Sequence, residues 1–183
     1  MGIFDRIRGL LGGAKEEEEE AAERLTARAP VVPLERRSRK RAEARRGTSV
    51  LIVDDSKTIV VALTRMLQSN GFVVSEAYDG EIGVAMARNA PPNLIFLDIV
   101  MPGMNGFAAL RALRRDPVTQ NIPVIMMSGN EHATEQFFGS RIPADDFMKK
   151  PFSRMEVFAR IEGLLDQELV PQRRITAGGA YGL

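Results

Sequence analysis

The fold is decided by residues 93–106, which read NLIFLDIVMPGMNG. Residues 94–97 are an unbroken apolar run, a pattern typical of a strand buried on both faces of a parallel sheet. The run ends at Asp98, and because a carboxylate is costly to bury, we expect Asp98 to emerge where the strand meets a loop. In open α/β sheets that edge is where ligands bind. Four residues that restrict the backbone then predict a turn: Pro102, Gly103, Asn105 and Gly106.

Two further apolar runs have the same form and predict buried strands. Residues 50–53 end in Asp54 and Asp55, and residues 124–127 end in Ser128. Because parallel strands end at one edge of a sheet, we expect these polar groups to converge there.

Weaker patterns complete the order of elements. Residues 72–77 are typical of a strand at a sheet edge, and residues 146–150 predict a last short strand. Apolar residues recur at helical spacing around residues 59–67, 82–86, 107–113 and 158–165, and with weak periodicity over residues 131–140. The order βαβαβαβαβα predicts an α/β fold with a five-stranded parallel sheet and helices on both faces.

Two of these helices carry a distinct local signal. In residues 131–140 the only large apolar residues are Phe137 and Phe138, so we expect a short and loosely held helix. Ser153 and Glu156 have the spacing of a capping box, which predicts the start of the last helix.

The composition excludes several classes of site. The chain of 183 residues has no Cys, which rules out a disulfide framework, a thiol nucleophile and a Cys-based zinc site. Its single histidine, His132, cannot build a multi-histidine metal cluster, and the net charge of +1 indicates no overall attraction to polyanions. No apolar run approaches the length of a membrane span, and no secretion signal is evident, so we expect a cytoplasmic protein.

The start of the chain differs from the rest. Residues 1–13 predict an amphipathic docking helix, because five large apolar residues share one helical face: Ile3, Phe4, Ile7, Leu10 and Leu11. Residues 14–48 carry a run of Glu and then a block of Arg and Lys, which predicts a charged and largely disordered linker. The globular domain is expected over residues 49–167, followed by a disordered tail over residues 168–183.

The expected convergence of Asp54, Asp55, Asp98, Ser128 and Lys150 points to phosphoryl chemistry. Three carboxylates held together raise one another's pKa unless a cation neutralises them. Carboxylate oxygens with open positions beside them suit Mg²⁺, which keeps waters and bridges phosphate. A carboxylate beside Mg²⁺, a hydroxyl and a Lys is suited to accept a phosphoryl group.

At this point the sequence resembles the receiver domains of bacterial response regulators. The resemblance covers about residues 49–166 and rests on four motifs, which occur in the family's order: LIVDDS, LDIVMPGMNG, PVIMMSG and DDFMKKPF. It implies a flavodoxin-like sheet with strand order 2-1-3-4-5. The stretches LDIVMPGMNGF and IPVIMMSG are similar to receivers of the chemotaxis and twitching-motility group.

The resemblance implies a role for each acidic residue. Asp98 would be the phosphorylated residue. Asp54 and Asp55 would hold Mg²⁺ together with Asp98 and the backbone carbonyl of Val100.

It also implies a switch. Ser128 would be the switch hydroxyl and Phe147 the switch aromatic. The family lysine directly precedes a proline, so Lys150 rather than Lys149 is the candidate for the conserved ammonium, and strand alternation sends Lys149 to the other face.

Two residues depart from the family pattern. Pro143 stands where the family usually has Gly, so the loop before the last strand is expected to differ. Gly129 follows the switch hydroxyl where Ala is common, which would loosen that loop. Neither change removes a reactive group.

Four other interpretations account for parts of the sequence. A receiver fold kept as a phosphorylation-independent scaffold is the runner-up, and the full set of reactive residues argues against it. Haloacid-dehalogenase-type phosphatases need a second Asp where Val100 stands. His132 follows the Ser128 loop on a weak helix, which favours an ordinary exposed residue over a phosphorelay histidine. The basic block at residues 36–46 has no DNA-reading module beside it, so no specific nucleic acid is expected.

The resulting hypothesis is a receiver-only response regulator with an added docking segment. It would accept a phosphoryl group on Asp98 from a sensor histidine kinase and signal through phosphorylation-dependent binding of a downstream protein. Its only chemistry would be Mg²⁺-dependent autophosphotransfer and autodephosphorylation. Residues 1–11 would dock weakly on a protein groove or on the inner face of the membrane, and a receiver dimer is left open.

Overall fold

The computed structural model describes residues 42–139 and 144–173. The predicted docking helix, most of the predicted linker, Pro143 and residues 174–183 lie outside the described residues. Within them, none of the helices has the length and apolar character needed to cross a bilayer.

Strands and helices alternate along the described residues. The strands are β1 (Ser49–Val53), β2 (Val73–Ala77), β3 (Leu94–Asp98), β4 (Val124–Ser128) and β5 (Asp146–Lys149). The helices are α1 (Lys57–Gln68), α2 (Gly80–Asn89), α3 (Gly106–Arg115), α4 (Glu131–Gly139) and α5 (Arg154–Leu164). The predicted order of elements is confirmed.

The strands form one parallel sheet in the order β2-β1-β3-β4-β5. The predicted flavodoxin-like fold is therefore confirmed, with β2 and β5 at the edges. The register pairs Val53 with Leu97, Asp98 with Met127 and Ser128 with Lys149, so the carboxyl ends of the strands lie level. This alignment brings the polar residues that follow the strands to one edge.

Two apolar clusters cover the two faces of the sheet. On one face, side chains of α1 and α5 such as Leu63 and Ile161 pack on Ile52 and Phe96. On the other face, side chains of α2, α3 and α4 form the cluster that includes Phe107 and Phe137. Because β3 and β4 are fully buried along their length, their apolar runs are continuous rather than alternating.

Four helices of the described residues begin at a residue whose side chain caps the first turn, and three of these caps, at α2, α3 and α5, lie away from Ser128. Asp79 accepts a hydrogen bond from the backbone N–H of Ile82 (2.7 Å), Asn105 from that of Ala108 (2.9 Å) and Ser153 from that of Glu156 (3.1 Å). Each cap satisfies a donor that the helix leaves unpaired, which fixes where the helix starts.

The folded region extends beyond residues 49–167 on both sides. Before β1, the backbone N–H of Arg45 donates to the carbonyl of Leu169 (2.9 Å), and Thr48 is buried. After α5, Leu165 and Pro171 form an antiparallel bridge, so residues 168–173 are part of the domain and not of a disordered tail. No local pattern predicts this extension, since these segments lack periodicity and are held by contacts with each other.

Candidate phosphoacceptor and metal site

Three carboxylates meet at the carboxyl edge of the sheet. Asp54 and Asp55 follow β1, and Asp98 ends β3. An oxygen from each lies within 4.8 Å of the others. Asp54 is fully buried and Asp98 nearly so, whereas Asp55 is exposed. We call this site the acidic pocket; it is buried at Asp54 and Asp98 and reaches solvent at Asp55.

Lys150 supplies the positive charge of this pocket. Its Nζ lies 2.6 Å from Oδ2 of Asp54 and 3.0 Å from Oδ1 of Asp98. The neighbouring Lys149 points elsewhere, with its exposed Nζ 3.6 Å from Glu131. Successive residues of an extended chain face opposite sides, so only one of the two lysines can reach the acids.

The electrostatics of the pocket are dominated by burial. Removal from water raises the pKa of the Asp98 carboxyl from 3.8 to about 6, and the charge of Asp54 acts in the same direction. Lys150 and a hydrogen bond from the backbone N–H of Val100 lower this pKa without cancelling the rise. One ammonium does not neutralise the negative charge gathered here.

The donor set fits a divalent cation. Oδ1 of Asp54 accepts a hydrogen bond from the backbone N–H of Ser56 (2.9 Å). Oδ2 of Asp54 is buried without a directed hydrogen bond, although the ammonium of Lys150 lies 2.6 Å away. Three carboxylates beside one ammonium leave a negative charge that Mg²⁺, which prefers carboxylate oxygens, would neutralise.

The loop after β3 is held against the site by the absence of a side chain at Gly106. A Cβ atom there would lie 2.1 Å from the carbonyl oxygen of Asp98. The backbone N–H of Gly106 donates to the carbonyl of Ile99 (2.9 Å), which closes the loop between β3 and α3. Only glycine allows α3 to begin this close to the backbone that carries Asp98.

Ser128 is fully buried at the end of β4 and faces the following loop. Its Oγ accepts a hydrogen bond from the backbone N–H of Asn130 (3.1 Å). Asn130 in turn caps α4, since its Oδ1 accepts from the backbone N–H of Ala133 (3.1 Å). The hydroxyl is thereby linked to the start of α4.

Phe147 lies in the cluster of aromatic rings beneath α4. Its ring stacks on that of Phe137 (4.8 Å between centroids) and meets that of Phe138 edge-on (5.6 Å). Phe137 is buried, whereas Phe138 remains 61% exposed. A movement of Phe147 would therefore be felt at an exposed aromatic side chain.

One contributor to the site was not predicted from the sequence. Asn130 connects Ser128 to α4, and an Asn directly before a helical segment is an N-cap signal that could have indicated it. The backbone N–H of Val100 donates to Asp98, and the role of its carbonyl as a metal ligand stays a prediction.

The fold and the acidic pocket define a class of protein: a doubly wound α/β domain with three carboxylates and a lysine at one sheet edge. Residues 50–162 match the family model of the response regulator receiver domain. The chain belongs to this family.

Several named proteins are similar to this chain. Protein PilH of Pseudomonas aeruginosa is 41% identical over 116 residues, which are 63% of this chain and 96% of PilH. The response regulator PleD of Caulobacter vibrioides is 37% identical over 121 residues, 66% of this chain but 27% of PleD. The chain thus spans nearly all of one relative and about a quarter of the other.

Solved structures show the same fold. The chemotaxis protein CheY4 of Vibrio cholerae has a TM-score of 0.60 and 28% identity, and the match covers 65% of this chain and 99% of that one. The CheX-CheY-BeF3-Mg+2 complex of Borrelia burgdorferi gives 0.57 and 33%, with 65% and 90% covered.

Proposed function

We propose that this protein is a phosphorylation-controlled switch in which Asp98 accepts a phosphoryl group from a sensor histidine kinase. The observation that carries the proposal is the meeting of Asp54, Asp55 and Asp98 with the ammonium of Lys150 at one sheet edge. Asp54, Asp55 and Asp98 would hold Mg²⁺, and the carbonyl of Val100 is a further candidate ligand. Mg²⁺ would screen the charge of the phosphoryl oxygens.

The transfer step follows from these positions. With a pKa of about 6, Asp98 is mostly ionised at neutral pH and can act as nucleophile. Its oxygen bonds to phosphorus as the P–N bond to the donor histidine breaks, and the imidazole leaves and takes up a proton from solvent. Lys150 then stabilises the new phosphoryl oxygens in place of the free carboxylates.

The signal would leave through α4. The Ser128 hydroxyl would exchange its bond with Asn130 for one with a phosphoryl oxygen, and Phe147 would shift against Phe137 and Phe138. The exposed Phe138 makes α4 and β5 the output surface for a downstream protein. The similarity to a CheY that was solved with CheX and BeF3 supports output by protein binding.

The likeness to PilH and to CheY4 favours a role in motility or surface sensing. The proposal sets the protein in the cytoplasm, where residues 1–11 would recruit it weakly to a protein partner or to the inner membrane face.

Labelling by a small phosphodonor tests the proposal. With Mg²⁺ present, intact mass should increase by one phosphoryl group, and chelation of Mg²⁺ should abolish the increase. Asp98→Asn should not be labelled. Labelling of Asp98→Asn to the wild-type extent would assign the chemistry to another residue.

Lys150→Ala and Lys149→Ala form a matched pair in the same assay. Lys150→Ala should still be labelled but should lose the change in partner binding, because the ammonium links the phosphoryl group to β5. Lys149→Ala should behave as wild type. Partner binding that never depends on labelling would favour the scaffold instead.

A further inference from the structure

The segment after α5 is folded back on the domain, although it lies outside the family match, which ends at residue 162. We call residues 165–173 the strap. Oδ1 of Asp166 accepts hydrogen bonds from the backbone N–H groups of Glu168 (2.8 Å) and Val170 (3.0 Å), which forms a tight turn. The backbone N–H of Gln172 then donates to the carbonyl of Leu164 (2.8 Å). These bonds direct the end of the strap towards the start of β5.

Arg173 completes a buried ion cluster around Asp145. Its Nε lies 3.1 Å from Oδ1 of Asp145, and its Nη1 donates to the carbonyl of Gln120 (2.8 Å). The other oxygen, Oδ2, receives Nη2 of Arg114 (2.7 Å) and the backbone N–H of Val124 (2.8 Å). The Asp145 side chain is 1% exposed. Both of its oxygens are thus held, one of them by the strap.

Asp145 also sets the register of β5. Its backbone N–H donates to the carbonyl of Val124 (3.0 Å), directly before the pairing of Asp146 with Ile125. β5 has four residues and is an edge strand that pairs with β4. A short edge strand has few ladder hydrogen bonds, so its register depends on what holds its ends.

Register decides which lysine faces the acids. At the far end of β5, the backbone N–H of Lys150 donates to the carbonyl of Ser128 (2.8 Å). A slip of one residue exchanges the faces of a strand, and it would bring Lys149 towards Asp54 and Asp98 in place of Lys150.

We propose that Arg173 is a positioning residue: through Asp145 it locks the register of β5 and so places Lys150 in the acidic pocket. This inference rests on the proposed function for the role of Lys150. Arg114 alone leaves Oδ1 of Asp145 without its partner, and a buried carboxylate oxygen that loses its partner is strongly disfavoured. The strap would therefore act on the site from the other end of β5, through residues that lie outside the family match.

The test uses the full chain with Mg²⁺ and beryllofluoride, which mimics a phosphoryl group on a carboxylate. Arg173→Gln should raise the half-saturating beryllofluoride concentration by about two- to thirty-fold, the range of coupling through packed networks. Arg173→Lys keeps the positive charge but not the planar guanidinium that contacts both Asp145 and Gln120. Its half-saturating beryllofluoride concentration should lie between those of wild type and Arg173→Gln. Arg160→Gln is the matched control, because Arg160 pairs with the adjacent Asp146 at 3.2 Å from a partly exposed position.

Amide exchange gives a second measurement that does not require beryllofluoride. In Arg173→Gln the Lys150 amide should exchange faster, whereas amides of β1 should keep their wild-type rates. Wild-type affinity in Arg173→Gln, or an equal loss in Arg160→Gln, would overturn the register lock. A wild-type protein that fails to bind beryllofluoride would instead refute the proposed function. The exchange rate of the Lys150 amide in Arg173→Gln would still test the register of β5.

Discussion

At the residue scale, Asp98 is held in a charge state that its surroundings oppose. Its carboxyl is nearly buried, and Asp54 adds a second negative charge beside it. The folded protein therefore binds a proton at Asp98 more tightly than the unfolded chain does. The stabilisation from this proton is complete below pH 3.8 and is lost as the pH rises through about 6.

Asp98→Asn should accordingly be more stable than wild type at neutral pH. Removal of the uncompensated charge should raise the free energy of unfolding by about 1–3 kcal/mol at pH 7, with no gain near pH 4. Urea unfolding without divalent ions, at several pH values between 4 and 7.5, measures the difference.

Asp116→Asn is the control of opposite sign. The backbone N–H of Val118 and the side chain of Arg88 lower the pKa of Asp116. The ionised Asp116 therefore stabilises the fold at neutral pH, and this stabilisation is lost as the pH falls. Mg²⁺ should stabilise wild type at pH 7 and have little effect on Asp98→Asn. If Asp98→Asn and wild type had the same free energy of unfolding at every pH, the raised pKa of Asp98 would be refuted.

The strand pattern was enough to predict that Asp54, Asp55 and Asp98 meet, because parallel strands must end at one edge. It was not enough to predict their environment. The full burial of Asp54 and the contact of its Oδ2 with Lys150 depend on how neighbouring loops close, which no local pattern encodes.

At the element scale, α4 buries fewer residues than any other helix that the structure describes. It buries Ala133 and Phe137, whereas α3 buries five residues. Its first turn is tied to Ser128 through Asn130, so a change at the hydroxyl acts directly on a weakly held element. The weak periodicity of residues 131–140 had predicted such a helix.

Beryllofluoride with Mg²⁺ should therefore change amide exchange in α4 and β5 more than elsewhere. The Ser128 hydroxyl would leave the Asn130 amide, which alters the cap, and Phe147 would move beneath the helix. Exchange measured with and without beryllofluoride checks this, with α3 as the internal control. Changes confined to other elements would show that the signal does not pass through α4.

The strap could not have been predicted in the same way as α4. Its hold depends on Arg173 reaching Asp145 across the fold and on Arg45 meeting Leu169, and both are long-range contacts between segments without periodicity. Local sequence patterns predict helices and strands, whereas long-range contacts of this kind are seen only in the three-dimensional structure.

At the scale of the whole molecule, the receiver is preceded by a segment whose pattern differs from it. Residues 1–11 lie outside the described residues, so their docking role rests on the shared face of five apolar side chains. Full burial of these side chains would contribute roughly 10 kcal/mol at most, and the ordering of a short helix offsets much of it. Attachment should be weak and reversible.

Phe4→Asp combined with Ile7→Asp should disperse a localised fluorescent fusion, because the two charges interrupt the apolar face. Asp98 should still be labelled by a phosphodonor. Ala21→Asp combined with Ala22→Asp adds the same charges outside the predicted helix and should leave localisation intact. Unchanged localisation of the first double variant would refute the docking helix.

The pairing of Arg45 with Leu169 has a consequence for how the protein is made. The residues that lead into β1 leave the ribosome early, yet the backbone group that holds them is synthesised near the end. At 5–20 residues per second, the roughly 120 residues between them take on the order of ten seconds to translate. During that interval the segment before β1 lacks its hydrogen bond to Leu169. A chain that ends shortly before Leu169 would have all the reactive residues of the receiver. It would lack the hydrogen bond that holds the segment before β1, at the end of the sheet away from the acidic pocket.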